Sequence, residues 1–251
     1  LPGVNSGTVN YNPNTRTLSL NDAEMSVTGK ICCILSRIDS MKIDVTGVNT
    51  LTSNGWSTIA YENDNSGIIQ GSGMLNLSND HPDDAAIHMR NGSLTINNCT
   101  FNGIGKKHGI YCSSGGGSIN VNNATVSFTG AGAGSVYNFA AMNLNSCVFV
   151  LPLDAKFDAA KKAVTAADTI VKTEVKIVPA YNLWICGEQV TVENKDDLSV
   201  INGVEGTVNY NPETRTLILN NATITATSGD AVGCLDGGIN IELIGNNTVT
   251  S

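Results

Sequence analysis

The chain has 251 residues, of which only 14% are charged, and it carries a formal net charge of −8 with a pI near 4.7. This acidic balance argues against a nucleic-acid partner, because nucleic-acid-binding surfaces need clustered lysine and arginine. No apolar run approaches the length of a membrane span, and the sequence shows no signal-peptide pattern. The length suits one large all-β domain or a solenoid with a continuous core.

The first element in the chain is a predicted β-hairpin. Val9 and Tyr11 alternate with polar residues and lead into Asn12-Pro13-Asn14-Thr15, where proline occupies the second position of a type I turn. Thr17–Leu20 then forms the returning strand. This hairpin leads into the first corner of the repeat described below.

The hairpin sequence recurs far along the chain. Gly7–Asn21 (GTVNYNPNTRTLSLN) matches Gly206–Asn220 (GTVNYNPETRTLILN) with two differences, and Asn49–Ser53 matches Asn247–Ser251. The chain therefore contains two related units. We predict one unit over residues 1–180, truncated at its N-terminus so that Leu1 opens inside a repeat, and the start of a homologous unit over residues 181–251.

A shorter motif recurs within these units, with the pattern apolar-x-apolar-Asn-(Asn/Asp/Ser)-small-x-apolar. It occupies Leu18–Met25, Leu94–Phe101, Ile119–Val126, Met142–Phe149 and Leu217–Ile224. Its fourth position is always asparagine, at Asn21, Asn97, Asn122, Asn145 and Asn220. Alternate apolar residues mark a strand with one buried face, and asparagine tolerates the left-handed conformation of a sharp corner.

Strand, corner and strand, repeated every 23 to 25 residues through the best-formed part, predict a parallel β-helix. The stacked asparagines should then form a ladder of side-chain hydrogen bonds along the axis. The alternative is a β-sandwich with asparagine turns, which gives no reason for the same corner residue in five places.

A further short strand is predicted before each coil. Its inward column is predicted to contain Ile68, Ile87, Ile110, Val136 and Val232. Alternation along a strand then directs Ile69, His88, Tyr111 and Tyr137 outward.

The segment Leu151–Pro179 interrupts the repeat. Asp158–Ala167 is compatible with either a short helix or a loop strand, and Val171–Val178 alternates like a strand. The seven cysteines show no metal-ligand spacing, and Cys99 and Cys147 are two coils apart, too far for a disulfide. All seven are predicted to be small buried hydrophobic residues.

The segments LWICGEQVT, NKDDL, GTVNYNPETRTLILNNATI and NIELIGNNTVTS resemble repeat units of large secreted surface proteins of anaerobic gut bacteria. Those proteins are described as carbohydrate-binding-domain or adhesin-like proteins with a right-handed β-helix related to pectate lyases. The resemblance implies a right-handed fold, an extracellular or bacterial cell-surface location, and binding to polysaccharide. It supplies no catalytic motif.

Three groups of residues are candidates for chemistry. The first is His88, Tyr111 and Tyr137, which should form an exposed aromatic strip on which sugar rings stack, unless the rings only stack on each other or lie beneath a loop. The second is Asp80, Asp83 and Asp84, as calcium ligands beside Lys106, Lys107 or Arg90 as the base of a polysaccharide lyase. The non-functional alternative for these residues is two solvated loops joined by weak ion pairs. A carboxylate pair for glycoside hydrolysis is not found at the outward strand positions.

The sequence thus favours a non-catalytic surface module that binds polysaccharide or host glycan along an exposed strand face. The alternatives are a purely structural stalk repeat and, third, a calcium-dependent polysaccharide lyase. Open coil ends also predict end-to-end self-association.

Overall fold

The structure, a computed structural model, describes residues 2–235 and 237–251; Leu1 lies outside them. The chain divides into two compact units, which meet in sequence between Ile177 and Val178. Unit 1 contains β1 (Val4–Asn12), β2 (Thr17–Val27), β3 (Ile34–Ser36), β4 (Met41–Thr46), β5 (Val48–Ser53), β6 (Ile59–Tyr61), β7 (Gly67–Gly71), β8 (Met74–Asn79), β9 (Ala85–Met89), β10 (Ser93–Asn97), β11 (Thr100–Gly105), β12 (His108–Cys112), β13 (Ser118–Asn122), β14 (Thr125–Gly130), β15 (Gly134–Tyr137), β16 (Ala141–Asn145), β17 (Cys147–Leu151), β18 (Lys156–Asp158), β19 (Ala163–Ala166) and β20 (Thr169–Ile170).

The strand β21 (Val175–Ile185) runs from the end of unit 1 into unit 2. Unit 2 continues with β22 (Glu188–Thr191), a 3-10 turn (Leu198–Val200), β23 (Val204–Asn211), β24 (Thr216–Thr225), β25 (Val232–Cys234), β26 (Asn240–Ile244) and β27 (Thr248–Thr250).

Unit 1 is a β-solenoid with three parallel faces, as the coil motif predicted. Face A stacks the first half of β2 with β4, β7, β10, β13 and β16, and face B stacks the second half of β2 with β5, β8, β11 and β14. Face C stacks β3, β6, β9, β12 and β15. The antiparallel hairpin of β1 and β2 opens the unit, and β21 runs antiparallel to β14 at the other end of face B.

The core consists of columns of inward side chains, because in-register parallel strands stack each apolar position on the next. One column on face A runs through Ile43, Ile69, Ile96 and Val121, all fully buried. Burial of such columns is the main stabilising term of a solenoid, since each coil contacts only its neighbours.

The asparagine ladder is present in the last three coils. Asn122 donates a hydrogen bond to the side-chain oxygen of Asn97 over 2.7 Å, and Asn145 donates to Asn122. A second row follows one residue later, where Asn123 donates to Asn98 over 3.0 Å. Asn98 and Asn123 have φ of 51° and 45°, the left-handed conformation for which asparagine is suited.

Two predicted members of the ladder are not in it. Asn21 lies beside Thr46 of the next coil and Asn220 beside Ile244, so neither faces another corner asparagine. The reason is that the next coil, which consists of β4, β5 and β6 and is called coil 2, has a different corner between β4 and β5. Its amide comes from the fully buried Asn49, which accepts from the Ala23 N–H over 2.9 Å and donates to the carbonyls of Thr46 and Met74.

The prediction that Ile68 points inward and Ile69 outward was wrong, because the structure has the opposite orientation. The strand β7 belongs to face A, where Ile69 pairs with Ile96 and is fully buried, and Ile68 is partly exposed. Ile87, Ile110 and Val136 do point inward on face C. Val232 is only partly buried, because β25 pairs antiparallel with β21 and is not part of a parallel stack.

The segment after β17 forms strands and contains no helix in the part that the structure describes. Residues 158–167, compatible in sequence with a helix or a strand, supply the end of β18 and all of β19, which pair antiparallel from Asp158↔Ala163 to Lys156↔Thr165. The strand β19 then continues face C beyond β15 through the pair Tyr137↔Ala163.

Unit 2 repeats the opening of unit 1. Strands β23 and β24 form the predicted hairpin, and β26 and β27 stack in parallel on the two halves of β24. The side chain of Asn247 accepts from the Ala222 N–H over 2.8 Å and donates to Ile244, as Asn49 does with Ala23 and Thr46 in unit 1. The sequence match between the units therefore extends to the hydrogen bonds of their corners.

The prediction that all seven cysteines are buried was correct for three of them. Cys99, Cys112 and Cys147 are buried, whereas Cys32, Cys33, Cys186 and Cys234 are partly exposed, and no disulfide joins the cysteines that the structure describes. Across residues 2–235 and 237–251 there is also no helix with the length and apolar character that membrane crossing requires.

Candidate functional site

The outward positions of face C form a continuous row of side chains, which we call the face C row. Strand register places Leu35, Ala60, His88, Tyr111 and Tyr137 on successive coils. Three aromatic residues at one end are thus followed by alanine, a side chain without a ring. The sequence identified the three rings, but it did not identify the gap beside them.

The three predicted rings lie against one another. The ring centroids of His88 and Tyr111 are 5.8 Å apart with planes 22° apart, and those of Tyr111 and Tyr137 are 6.2 Å apart with planes 21° apart. All three residues are partly buried. The three rings therefore form a row on successive coils, as predicted from the sequence, and they also stack on one another, which is the arrangement the sequence left as the alternative.

A fourth ring, that of His108, belongs to the same stack. Its centroid is 4.7 Å from that of Tyr111 and 5.1 Å from that of Tyr137, with nearly parallel planes. His108 is 3% exposed, and its Nδ1 donates to the carbonyl of Gly134 over 3.2 Å. Burial lowers the pKa of His108 to about 4, so the imidazole is neutral at physiological pH and stacks as an uncharged ring.

The stack ends at a cleft of about 310 Å³. Part of its lining comes from the face C row (Leu35, Ala60, His88 and Tyr111) and part from the first residues of β9 and β12 (Ala85 and His108). The rest comes from residues between strands (Cys32, Trp56, Ser57, Glu62, Asp83 and Asp84). Trp56 is 49% exposed, a large value for a tryptophan side chain. The cleft lies where the small Ala60, only 5% exposed, follows His88 in the row, so no ring occupies this position of the lining.

The loops beside the cleft are held together by hydrogen bonds between successive coils. The hydroxyl of Ser57 donates to the carboxylate of Asp84, and the Thr58 N–H donates to the carbonyl of Ala85 over 3.3 Å. The Lys107 N–H donates to the carbonyl of Asp84, again over 3.3 Å. These bonds fix the loop of each coil on that of the next, so the cleft is largely preformed.

The predicted calcium ligands do not converge. Asp80 pairs with Lys106 and Asp83 with Lys107, each over 3.7 Å, and Asp84 binds Ser57 instead. Among the residues that the structure describes, no group of three or more histidine, cysteine, aspartate or glutamate side chains is arranged to hold a metal ion. The arrangement found is that of the non-functional alternative, two solvated loops joined by ion pairs.

The cations considered for base catalysis are also paired. Arg90 lies 3.8 Å from Asp64, and the side chains of Arg90 and Lys106 are more than half exposed. A catalytic base must lie within hydrogen-bond reach of the proton that it removes. Nothing in the geometry of these three residues directs them toward the cleft.

Cys32 is the only thiol in the lining of this cleft among the described residues. Burial raises its pKa to about 12, and the nearby carboxylates of Asp84 and Glu62 act in the same direction. Because the thiolate is the nucleophilic form, Cys32 contributes a small apolar surface at neutral pH and not a reactive group.

Most of the cleft could not be found from the outward aromatic pattern alone. Ile59–Tyr61 was not assigned as the face C strand of coil 2, and without it neither Ala60 nor the flanking Trp56 and Glu62 could be placed. A usable signal was present, since aligning Ile59 with Ile87 places Ala60 in the column of His88.

The fold and the cleft together define a three-faced β-solenoid with an aromatic-lined site on one face. Comparison of the chain with protein-family models, with curated proteins and with solved structures gave no match.

Proposed function

We propose that the chain is a non-catalytic glycan-binding module of an extracellular or cell-surface protein, and that it binds a sugar ring in the face C cleft. The supporting observation is the interruption of the ring stack at Ala60, next to the ring of His88. A pyranose ring placed over Ala60 continues the stack, because the apolar face of a sugar packs on an aromatic face as another ring does.

The surroundings of this position suit a saccharide. Trp56 offers a second aromatic surface, and the hydroxyl and carboxylates around the cleft can bind sugar hydroxyl groups. A volume of about 310 Å³ is at the small end of ligand sites, which fits one or two sugar units of a longer chain.

The proposal is tested by affinity electrophoresis through gels that contain pectic, cellulosic, chitin-type and mucin glycans. We expect at least one glycan to retard the wild-type protein. Ala60→Phe, which fills the gap in the stack, should abolish the retardation, and His88→Ala should weaken binding about tenfold through loss of the stacking surface. Tyr111→Ala removes the ring that supports His88 and should weaken binding by a similar factor.

Tyr11→Ala is the matched control, because Tyr11 is a 39% exposed ring on β1, outside face C. Its mobility should equal that of the wild type in every gel. If no glycan retards the wild type, the proposal is wrong and a purely structural stalk repeat becomes the better interpretation. Equal retardation of the wild type and Ala60→Phe would show a glycan site elsewhere on the molecule.

We also propose that two copies of the chain associate through the edge formed by β26 and β27. Ile241, Leu243 and Val249 on this edge are 53%, 64% and 47% exposed, whereas the equivalent Ile43, Val45 and Leu51 of unit 1 are fully buried. In unit 1 the corresponding edge is covered by the following coil through β7 and β8, and a second copy of the same chain offers an edge of the same kind.

Light scattering coupled to size-exclusion chromatography measures this association. The wild type should increase in mean mass with concentration, and Leu243→Lys should remain monomeric over the same range, because a charge at the edge opposes strand pairing. Leu153→Lys serves as the control, since Leu153 is 83% exposed in unit 1 and should leave the association unchanged. A wild-type protein that stays monomeric at the highest concentration would contradict the proposal.

A further inference from the structure

We propose that the face C cleft selects glycans that carry free amino groups and rejects glycans built from uronic acids, with Asp84 and Glu62 as the specificity-determining residues. This inference rests on the proposed glycan-binding function and specifies the chemistry of the sugar. It departs from the expectation drawn from a pectate-lyase-like fold, since pectic polymers are uronates.

The charge of the cleft lining is the first observation. Glu62, Asp83 and Asp84 contribute three carboxylates, and no lysine or arginine is found among the described residues that line the cleft. The cationic partners of two of these carboxylates lie outside the lining: Arg37 is 2.8 Å from Glu62, and Lys107 is 3.7 Å from Asp83. The charged side chains that line the cleft are therefore all carboxylates, and a uronate there would place like charges together.

Asp84 is the residue best placed to recognise an amine. Its side chain accepts from the hydroxyl of Ser57 and from its neighbour's backbone, the Ala85 N–H, and no ion pair is formed with a lysine or arginine in the described part of the chain. An ionised carboxylate has acceptor capacity for about four hydrogen bonds, so Asp84 retains capacity for an ammonium group. The bond to Ser57 and the backbone contact from Lys107 hold it in place.

The carboxylates of Asp84 and Glu62 influence the titration of His88 and Cys32, two other residues of the cleft lining. Burial lowers the pKa of His88, and the carboxylates of Asp84 and Glu62 oppose that shift, as they also raise the pKa of the Cys32 thiol. Asp84, Glu62, His88 and Cys32 all line the cleft, so the two carboxylates act on side chains that a ligand there would contact. The two stacked histidines have lowered pKa values and offer no compensating positive charge to a uronate near neutral pH.

Three oligosaccharides of equal length separate charge from shape: a fully deacetylated glucosamine oligomer, its N-acetylated counterpart and a galacturonic acid oligomer. Titration calorimetry of the whole chain at a slightly acidic pH, where the sugar amines are protonated, should give the order amine, then N-acetyl, with no binding of the uronate. Asp84→Asn and Glu62→Gln should each weaken binding of the amine oligomer about tenfold and leave the N-acetylated oligomer nearly unchanged.

Asp44→Asn is the control for attraction of any polycation to an acidic protein, because it removes the same charge from face A. If Asp44→Asn weakens amine binding as strongly as Asp84→Asn, the attraction is non-specific and the inference is wrong. Equal or tighter binding of the N-acetylated or uronate oligomer also overturns it, while glycan binding itself stands. If none of the three oligomers binds and no glycan retards the wild type in the gels, the proposed function fails together with the inference.

Discussion

Replacing Phe101 with alanine should lower the free energy of unfolding of unit 1 by about 3–5 kcal/mol. Phe101 is fully buried on face B, with its ring centroid 5.3 Å from that of Phe128 on the next coil. Gly103 lies opposite Phe128 in the register, and a side chain there would meet the ring of Phe101 at 2.9 Å. The glycine and the two rings thus fill one space, so truncating Phe101 leaves a cavity that its neighbours cannot close.

Urea unfolding followed by tryptophan fluorescence measures this loss, and the chain offers one reporter in each unit: Trp56 in unit 1 and Trp184 in unit 2. A Trp184→Phe background restricts the signal to unit 1. Ile104→Ala on the same strand is the matched control, since Ile104 is 54% exposed, and it should cost no more than about 0.5 kcal/mol. Equal losses for Phe101→Ala and Ile104→Ala would mean that the face B column is not packed as the structure shows.

The second large effect is expected at the corner of coil 2, where Asn49→Ala should cost about 2–5 kcal/mol. The substitution removes three hydrogen bonds of a fully buried side chain and leaves the Ala23 N–H without its partner. Each buried polar group left unsatisfied costs about 1–3 kcal/mol. The loss exceeds that of an ordinary surface asparagine for this reason.

Asn247→Ala is the comparison for Asn49→Ala, because it removes the same type of side chain from the equivalent corner of unit 2. Asn247 makes the corresponding bonds to Ala222 and Ile244 in unit 2, but it is partly exposed. Water can replace those bonds, so the expected cost is about 1 kcal/mol, read from Trp184 in a Trp56→Phe background. If the two alanine variants lose the same stability, burial does not determine the contribution of the corner asparagine.

Strand periodicity was sufficient to predict the solenoid, because a coil that buries one apolar face and turns at asparagine has few other ways to pack. Asn97, Asn122 and Asn145 follow each other at nearly constant spacing, and their ladder could be predicted directly. Asn21 and Asn220 could not be distinguished from them by pattern. Their place in the stack depends on how many residues the next coil uses to turn. That turn contains Gly47 and Asn49 in unit 1, and Gly245 and Asn247 in unit 2.

The cleft was less accessible to sequence reasoning for a related reason. The outward rings of His88, Tyr111 and Tyr137 follow from alternation along a strand, but alternation does not say whether neighbouring rings lie open or stack. Stacking with His108 depends on side-chain rotamers and on the short turn before β12. The proposed binding position depends on Ala60, which has no ring, and a search for chemically active residues would not select an alanine.

Fluorescence titration is the most direct test of whether a glycan binds over Ala60 beside Trp56. In a Trp184→Phe background, a glycan that retards the protein in gels should shift and saturate the emission of Trp56, because the indole loses water on one face. Ala60→Phe in the same background should eliminate the response. Two results would contradict the proposal that the glycan binds in this cleft. One is retardation in gels without any change in Trp56 emission, and the other is an emission change that persists in Ala60→Phe.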